Sequence, residues 1–562
     1  MGRVGTLLPG RCLCTGPGRK SAHFAKQTFP NFCPSIETEN LDREDHFSTL
    51  ILAIIAKAMK SWEVVIAIIG ASVLAFSSWA IRSSELPHRD TLVRADDCHM
   101  PVTILEPRQR SRGAAILFHG FSADRRVMEP LGAYLTDNQG LRAYLFDLAG
   151  HGDNADAFSF PRADDCARIG VESLIRSGEI DPKRTILVGH SLGGAIAIRA
   201  ADREPVAGTI ALSPAPMPLP RRMPANLLVF SAKYDLTMLK RAARALATAA
   251  GGERTQHRDF VEARAFHLEV VSFSDHNSLL VDLRVFRETG DWIDSTLENS
   301  TGDQVSRQRS PVYAAASLLG LLAILLLFPF CATVIARVCS PAYLDSARAI
   351  VPPMLVLAEG AVCALATVLI LAASIPLSPL HLYTGDYLAS LLLIAGSFLL
   401  ALNWKSAIKS LCWDSGSILA AAALGFAVML GIGAWLNSQT ADLWLSAPRW
   451  LRFAAILPVA WIFCFAEEVV LGAVGKGRQR MLRFFLFLAL RAELWLACLF
   501  AYYALASSQL LILVLVPSLA LFSLLQRLAT DALRLRTGSA AAAALFGAIL
   551  AAWIVAAIFP LT

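Results

Sequence analysis

Charge is what this 562-residue sequence has least of: Asp, Glu, Lys and Arg make up 17% of it, where soluble domains carry roughly 25%. That shortage excludes a disordered chain, which stays solvated through charge and low hydrophobicity, and an ordinary soluble enzyme. Metal-type cysteine spacing is missing too. The 11 cysteines include no CxxC pair, which removes zinc-ribbon and dithiol redox sites from consideration. What is plentiful is apolar: 55% of residues, before any glycine is counted.

The shortage is concentrated in one half. Pro311 to Thr562 carry 14 Lys/Arg and 9 Asp/Glu, whereas the first 310 residues carry 37 and 36. One half has soluble composition and the other is built for lipid. The net charge of +6 is no nucleic-acid signature. In the apolar half the basic residues sit largely at the ends of apolar runs, where membrane topology explains them, so no nucleic-acid partner is expected.

Residues 1–58 are polar, irregular and rich in Pro, Gly and Arg. They read as a disordered or misassigned N-terminal extension, with Met59 as the expected initiator. Trp62 to Ile81 is apolar, and about 20 residues at 1.5 Å each cover a bilayer core of about 30 Å. No A-x-A cleavage site follows, so residues 59–82 are expected to persist as a transmembrane signal anchor. Residues 298–310 read as a linker. Residues 311–562 read as a membrane domain of about eight helices, on apolar runs near Val312–Ile335, Ile350–Ile375, Leu388–Leu402, Ile418–Trp435, Phe453–Val474, Leu482–Leu505, Leu510–Leu525 and Ala540–Phe559. The odd connections between these runs hold 11 Lys/Arg and the even ones only Arg449 and Arg452. Connections rich in Lys/Arg stay in the cytoplasm. Both this bias and Lys57 and Lys60 ahead of the anchor put the intervening soluble segment outside. A multi-pass protein of the cytoplasmic (inner) membrane is expected, with residues 86–297 on its extracytoplasmic side.

Within 86–297 short β-rich runs alternate with amphipathic stretches: Ala114–Phe118, Ala143–Phe146, Thr185–Val188, Thr209–Leu212, Leu227–Phe230 and Leu268–Phe273, with Arg125–Thr136, Ala163–Arg176 and Met238–Ala250 among the segments between them. Such alternation indicates a mainly parallel sheet with helices on both faces. Thr91–Arg94 and Val102–Leu105 suggest an antiparallel hairpin at its edge. Cys98 and Cys166 read by default as two free thiols, or as a disulfide if the segment faces an oxidising compartment.

Chemistry enters at Thr185-Ile-Leu-Val-Gly189-His190-Ser191-Leu192-Gly193-Gly194, a strand ending in G-x-S-x-G. A sharp strand-to-helix turn there exposes the serine oxygen, and the glycines remove side chains that would clash. A serine hydroxyl needs an imidazole to take its proton and a carboxylate to hold that imidazole, in the order Ser, acid, His. Asp235 and His276 each follow a strand and supply them; Asp275, His257 and His267 are weaker rivals. Upstream, a strand runs into His119-Gly120-Phe121, so the N–H groups of Phe121 and Leu192 would form an oxyanion hole. His119 and His151 read as loop-structuring.

These residues, with Asp147-Leu-Ala-Gly150-His151-Gly152, resemble the α/β-hydrolase family, in particular its serine aminopeptidase and monoacylglycerol-lipase-like branch. The resemblance covers about residues 90–294, just over a third of the chain. It implies an α/β-hydrolase fold, Ser191 as nucleophile, Asp235 as acid, His276 as base, and no metal or cofactor. Where many lipases insert a helical lid, only a Pro-rich loop (Pro214 to Pro224) separates Ser213 from Asn226, which implies an open site.

Glu359, Glu467, Glu468, Arg491 and Glu493 fall inside apolar runs, where ionisable groups are costly and pair or function. Arg491 is expected to neutralise Glu467 or Glu468, with Glu359 near, as a structural ion-pair cluster. The Glu467-Glu468 pair faintly resembles the motif of membrane CAAX-type proteases. Gly472 stands in the place of the required arginine and no histidine follows His381, so that activity is rejected. The expected function is a membrane-anchored serine hydrolase acting on ester substrates, lipids and lipopeptides among them, with membrane lipids around it. A transporter or flippase with an accessory hydrolase, and an acyltransferase, stay open as alternatives.

Overall fold

The structure, a computed structural model, describes residues 61–84, 86–251, 258–301, 315–324 with 327, 328 and 330, 352–373, 378–411, 414–437, 443–475, 477–505 and 510–562. The expected extension 1–58, the linker from 302 onward and rival base His257 lie outside the described residues.

Helix α1 (Ser61–Ser84) carries only Glu63 and Arg82 as charges. Eight strands follow: β1 (His88–Ala95), β2 (Cys98–Leu105), β3 (Gly113–Phe118), β4 (Leu141–Phe146), β5 (Thr185–His190), β6 (Gly208–Leu212), β7 (Leu227–Ala232) and β8 (Phe266–Val271). They form one sheet in the order β1-β2-β4-β3-β5-β6-β7-β8. β1 and β2 form the expected antiparallel hairpin, β2 also runs antiparallel to β4, and every other pairing is parallel. This is the α/β-hydrolase fold.

The alternation of each strand decides which helix covers which face. Ala115, Leu117, Leu145, Val188 and Ile210 point one way, against α2 (Glu129–Gln139) and α6 (Leu283–Thr301) through Leu131, Leu135, Val285 and Ile293. Ile116, Phe118, Tyr144, Phe146 and Leu187 point the other way, against α3 (Phe160–Arg176) and α4 (Leu192–Arg203) through Ala167, Val171, Ile196 and Ala197. Helix α5 (Thr237–Ala249) covers β7 and β8 with Ala243, Leu246 and Ala247. Helix α6 continues to Thr301, so the first residues of the expected linker are its last turn.

Cys98 on β2 and Cys166 on α3 are joined as a disulfide, which overturns the free-thiol expectation. The two residues meet because α3 packs over the end of the sheet where β2 begins.

The C-terminal half is helical: α7 (Pro353–Ala373), α8 (Gly385–Leu402), α9 (Trp404–Ser410), α10 (Ser415–Asn437), α11 (Ala447–Leu471), α12 (Arg478–Ala504), α13 (Leu510–Thr537) and α14 (Ala540–Ile558). Among the described residues seven helices are long and apolar enough to cross a membrane: α1, α7, α8, α10, α11, α12 and α14. Lipid offers no hydrophobic drive for helices to associate, so close packing must supply it. The alanines at 540–544 are fully or nearly fully buried, and a side chain added at Gly396 would lie 2.7 Å from the Phe463 backbone. Of the other expected runs, Leu510–Leu525 is the apolar first half of α13, and Val312–Ile335 is described mainly by the helical stretch Ala315–Ile324.

Candidate active site

The site is assembled where parallel strands end. At the close of β5 the chain turns into α4 through Ser191, whose backbone sits at φ 53°, ψ −114°. Non-glycine residues rarely adopt this region, and strain there persists only where the surroundings enforce it. Here the Ser191 N–H donates to Leu212 O (2.8 Å), and the Ser191 carbonyl accepts from Ala215 N (2.9 Å) and Ala195 N (3.2 Å). The turn also needs bare backbone at two positions. A Cβ on Gly189 would strike the Gly193 carbonyl, and one on Gly193 would strike the Phe118 carbonyl. Leu192 is the first residue of α4, so its N–H has no acceptor within the helix and lies beside the serine.

His276 follows β8 and Asp235 follows β7, both on loops leaving the same sheet edge. His276 Nδ1–H donates to Asp235 Oδ2 at 3.1 Å, and both side chains are largely buried. Burial pushes the Asp235 carboxyl up. The hydrogen bond and charge of His276, with the Leu236 N–H, outweigh it and hold the group below its ordinary value. Ser191 Oγ has no hydrogen-bond partner among the described residues. Nucleophile–base contacts are commonly loose without substrate.

His190 has a role the G-x-S-x-G pattern does not announce. It is buried, its ring lies 4.6 Å from that of His276, and its Nε2–H donates to the His276 carbonyl at 2.9 Å. Burial, with His276 alongside, lowers its pKa to about 3. A neutral ring therefore ties the His276 loop to the serine turn.

On the other side lies the His119-Gly120-Phe121 loop. His119 Nδ1–H donates to the Gly120 carbonyl (2.7 Å) and Nε2 accepts from Leu148 N (3.0 Å). His151 Nδ1–H donates to the Ala149 carbonyl (2.8 Å). Burial lowers the pKa of both rings, that of His151 strongly. Both brace loops, as the sequence suggests. Asp147 locks the second loop: it accepts from Arg125 N (2.7 Å), from the Arg125 guanidinium and from Asp153 N (3.0 Å). A Cβ on Gly120 would lie 3.2 Å from Ser191 Cβ, so this loop passes directly over the serine.

The rivals fall elsewhere. Asp275 is exposed and caps its own turn, accepting from Asn277 N and Ser278 N. His267 faces Glu269 on β8. The Pro-rich loop forms no lid helix. Between it and α5 lies a cavity of about 330 Å³ lined by Met217, Leu219, Met238 and Leu246, with Arg241 at its edge.

In the helical half Arg491 takes one of its two expected partners, while Glu468 and Glu359 partner elsewhere. Arg491 grips Glu467 with two hydrogen bonds (2.6 and 2.8 Å). Glu468 is instead held by Arg483 (2.7 Å), Arg527 (2.7 Å) and Arg534, with Asp531 joined to Arg483 and Arg527. Glu359 is not in this cluster: it accepts from Asn403 Nδ2 at 2.7 Å. Glu493 packs against Gly360. Arg483, Arg527 and Arg534, which lie in or beside the odd connections in the sequence, are buried on helices α12 and α13. Taking them and buried Arg449 out leaves eight Lys/Arg in the odd connections against Arg452 in the even ones, so the bias keeps its direction.

A model of the alpha/beta hydrolase family matches residues 115–369. The chain is 36% identical over 97 residues to 2-succinyl-6-hydroxy-2,4-cyclohexadiene-1-carboxylate synthase of Enterobacter sp. (strain 638), covering 17% of this chain and 34% of that one. It is 33% identical over 101 residues to an uncharacterized protein of Mycobacterium tuberculosis, covering 18% and 36%. The chain thus spans about a third of the length of these curated relatives. Among solved structures, an esterase of Pyrobaculum calidifontis is similar at 14% identity, covering 42% of this chain and 93% of that one, with a TM-score of 0.31.

Proposed function

We propose that the chain is a membrane-anchored serine hydrolase that cleaves esters through an acyl-enzyme on Ser191. The observation that carries this reading is the His276–Asp235 hydrogen bond of 3.1 Å at the same sheet edge as a serine in strained turn geometry. With Nδ1–H fixed on Asp235, Nε2 of His276 is left as the base. It takes the Ser191 proton as Oγ attacks the ester carbonyl. The developing oxyanion accepts hydrogen bonds from the N–H groups of Phe121 and Leu192, the latter at the positive end of α4. The protonated imidazole then gives its proton to the departing alkoxide, and water releases the acyl group by the same path reversed.

The extracytoplasmic assignment rests on two further supports. The Cys98–Cys166 disulfide suits an oxidising compartment. The connection at 380–384, Arg449 and the C-terminal Leu561 all meet the hydrolase domain or its partners at one end of the bundle, and the charge pattern independently assigns those connections outside.

The test is hydrolysis of p-nitrophenyl butyrate by the purified full-length protein in detergent, for wild type, Ser191→Ala and His276→Ala. Each substitution is expected to lower kcat by about 10⁴-fold or more. Turnover that survives both at the wild-type rate refutes the assignment.

A further inference from the structure

Beside the candidate oxyanion hole is an aromatic cluster drawn from both halves of the chain. The Phe121 ring meets Phe158 edge-on (5.1 Å), stacks on Phe160 (5.8 Å) and meets Tyr383 edge-on (5.4 Å). Tyr383 also touches Phe158 and Phe160. Phe158 is buried, whereas Phe160 and Tyr383 keep 49% and 39% of their surface exposed. The cluster therefore has a dry base and an open aromatic face. Its distance from the chemistry is short, because the Phe121 main chain adjoins the glycine that lies over Ser191.

Tyr383 belongs to the membrane half, two residues before α8 enters its apolar span. Its position is fixed by a clamp made from the end of the chain. The Tyr383 N–H donates to the Pro560 carbonyl (2.9 Å) and Thr562 N to the His381 carbonyl (2.9 Å). On its other edge the same tail bonds the hydrolase domain: Leu561 N to Gly150 O (2.9 Å), and Phe158 N to Leu561 O (2.7 Å). Arg449 closes the junction, donating to the carbonyls of Gly150 (3.0 Å), Ala556, Ala557 and Phe559. Asp386 holds the connection from below by accepting from Leu380 N and Leu382 N, each 2.8 Å. These bonds fix the backbone that carries Tyr383, and its edge-on contacts with Phe121, Phe158 and Phe160 orient the ring.

We infer that Tyr383 is a specificity-determining residue of the hydrolase site. With Phe121 and Phe160 it forms a wall that receives the apolar chain of an ester resident in the bilayer. An aromatic side chain at a membrane–water boundary suits a ligand with one end in lipid and the other in water. The wall has Phe121, next to the glycine over Ser191, at one end and Tyr383, two residues before α8, at the other, so a chain lying on it would bring its ester to Ser191. This inference rests on the hydrolase reading and adds the substrate class and a residue outside the hydrolase domain.

The experiment compares p-nitrophenyl decanoate with p-nitrophenyl butyrate on full-length wild type, Tyr383→Phe and Tyr383→Ala, each verified as monodisperse in detergent. Tyr383→Ala is expected to lower the decanoate-to-butyrate ratio of kcat/KM by about tenfold, the scale of lost apolar pocket contacts, mainly through KM. Tyr383→Phe is expected to restore it. An unchanged ratio in Tyr383→Ala overturns the inference. A second arm needs no turnover: Ser191→Ala protein is irradiated with dodecanol carrying a terminal diazirine. Adducts are expected on the peptides holding Phe160 and Tyr383, and adducts confined to other sites overturn the wall. Should wild type show no Ser191-dependent turnover, the hydrolase reading falls while this arm still decides the wall.

Discussion

The two halves of the chain bury charge for different ends. In the hydrolase domain His276 and Asp235 are brought to a sheet edge beside an accessible serine, and the pair leaves one imidazole nitrogen uncommitted. In the helical half Glu468 is surrounded by Arg483, Arg527 and Arg534, and Asp531 takes up two of the same guanidiniums. There both Glu468 oxygens are engaged and Asp531 Oδ1 is shared by two guanidiniums, and the groups join α11, α12 and α13 to one another. The difference teaches that a buried ion pair suits chemistry when it leaves a lone pair or a proton free, and suits cohesion when its carboxylates are shared among guanidiniums of several helices.

That contrast can be broken experimentally, beginning with the largest effect. Ser191→Ala should abolish esterase activity, a loss of up to about 10⁶-fold in kcat, without lowering the apparent Tm in detergent. Asp235→Asn comes next. It keeps the shape and removes the charge that orients His276, so kcat should fall by about 10⁴-fold with KM little altered. Steady-state kinetics on the purified variant check this, and a loss confined to KM would place Asp235 outside the chemistry.

Glu468→Gln should act in the opposite sense. It removes the carboxylate that pairs with Arg534 and leaves Arg483 and Arg527 with Asp531 alone, and removing one partner of a buried pair typically costs about 3–5 kcal/mol. The yield of folded protein and its apparent Tm should drop, while kcat per folded molecule, measured by active-site titration, stays near wild type. A fall in kcat with full stability would move this cluster from cohesion to chemistry.

The smallest expected effect sharpens the hydrolase side. His190 is buried and neutral, with its pKa lowered to about 3. The unfolded chain takes up this proton below the ordinary value of about 6.5 and the folded chain does not, so stability is lost as pH falls from there toward 3. At pH 5 the term amounts to about 2 kcal/mol. His190→Gln keeps a donor for the His276 carbonyl and cannot titrate. Its apparent Tm should therefore fall less between pH 7 and pH 5 than that of wild type. Equal slopes would mean that His190 contributes nothing to acid sensitivity.

Legibility in the sequence follows the same division. The sheet, its edge hairpin and the candidate triad could be read because each depends on local pattern: alternation sets strands, and the serine turn demands glycines at fixed offsets. Strand β8 starts two residues before the apolar run Leu268–Phe273, since half-exposed edge strands carry a weaker pattern. The helical pairings could not be read. Arg483, Arg527 and Arg534 sit near the ends of apolar runs, where loop charges also sit, and only the packing of α11 on its neighbours tells the two apart. The disulfide was open because two lone cysteines 68 residues apart carry no spacing signal. Tyr383 and the C-terminal tail were invisible for a related reason: backbone pairing of Leu561 with Gly150 leaves no mark on residue type.

The central claim is that the Ser191 oxygen is the nucleophile and faces outward. Its most direct test is treatment of intact cells with a membrane-impermeant fluorophosphonate, followed by mapping of the labelled peptide. The account predicts a single adduct on Ser191, formed without lysis and absent in Ser191→Ala. An adduct on another residue, or one that forms only after the cells are opened, would contradict it.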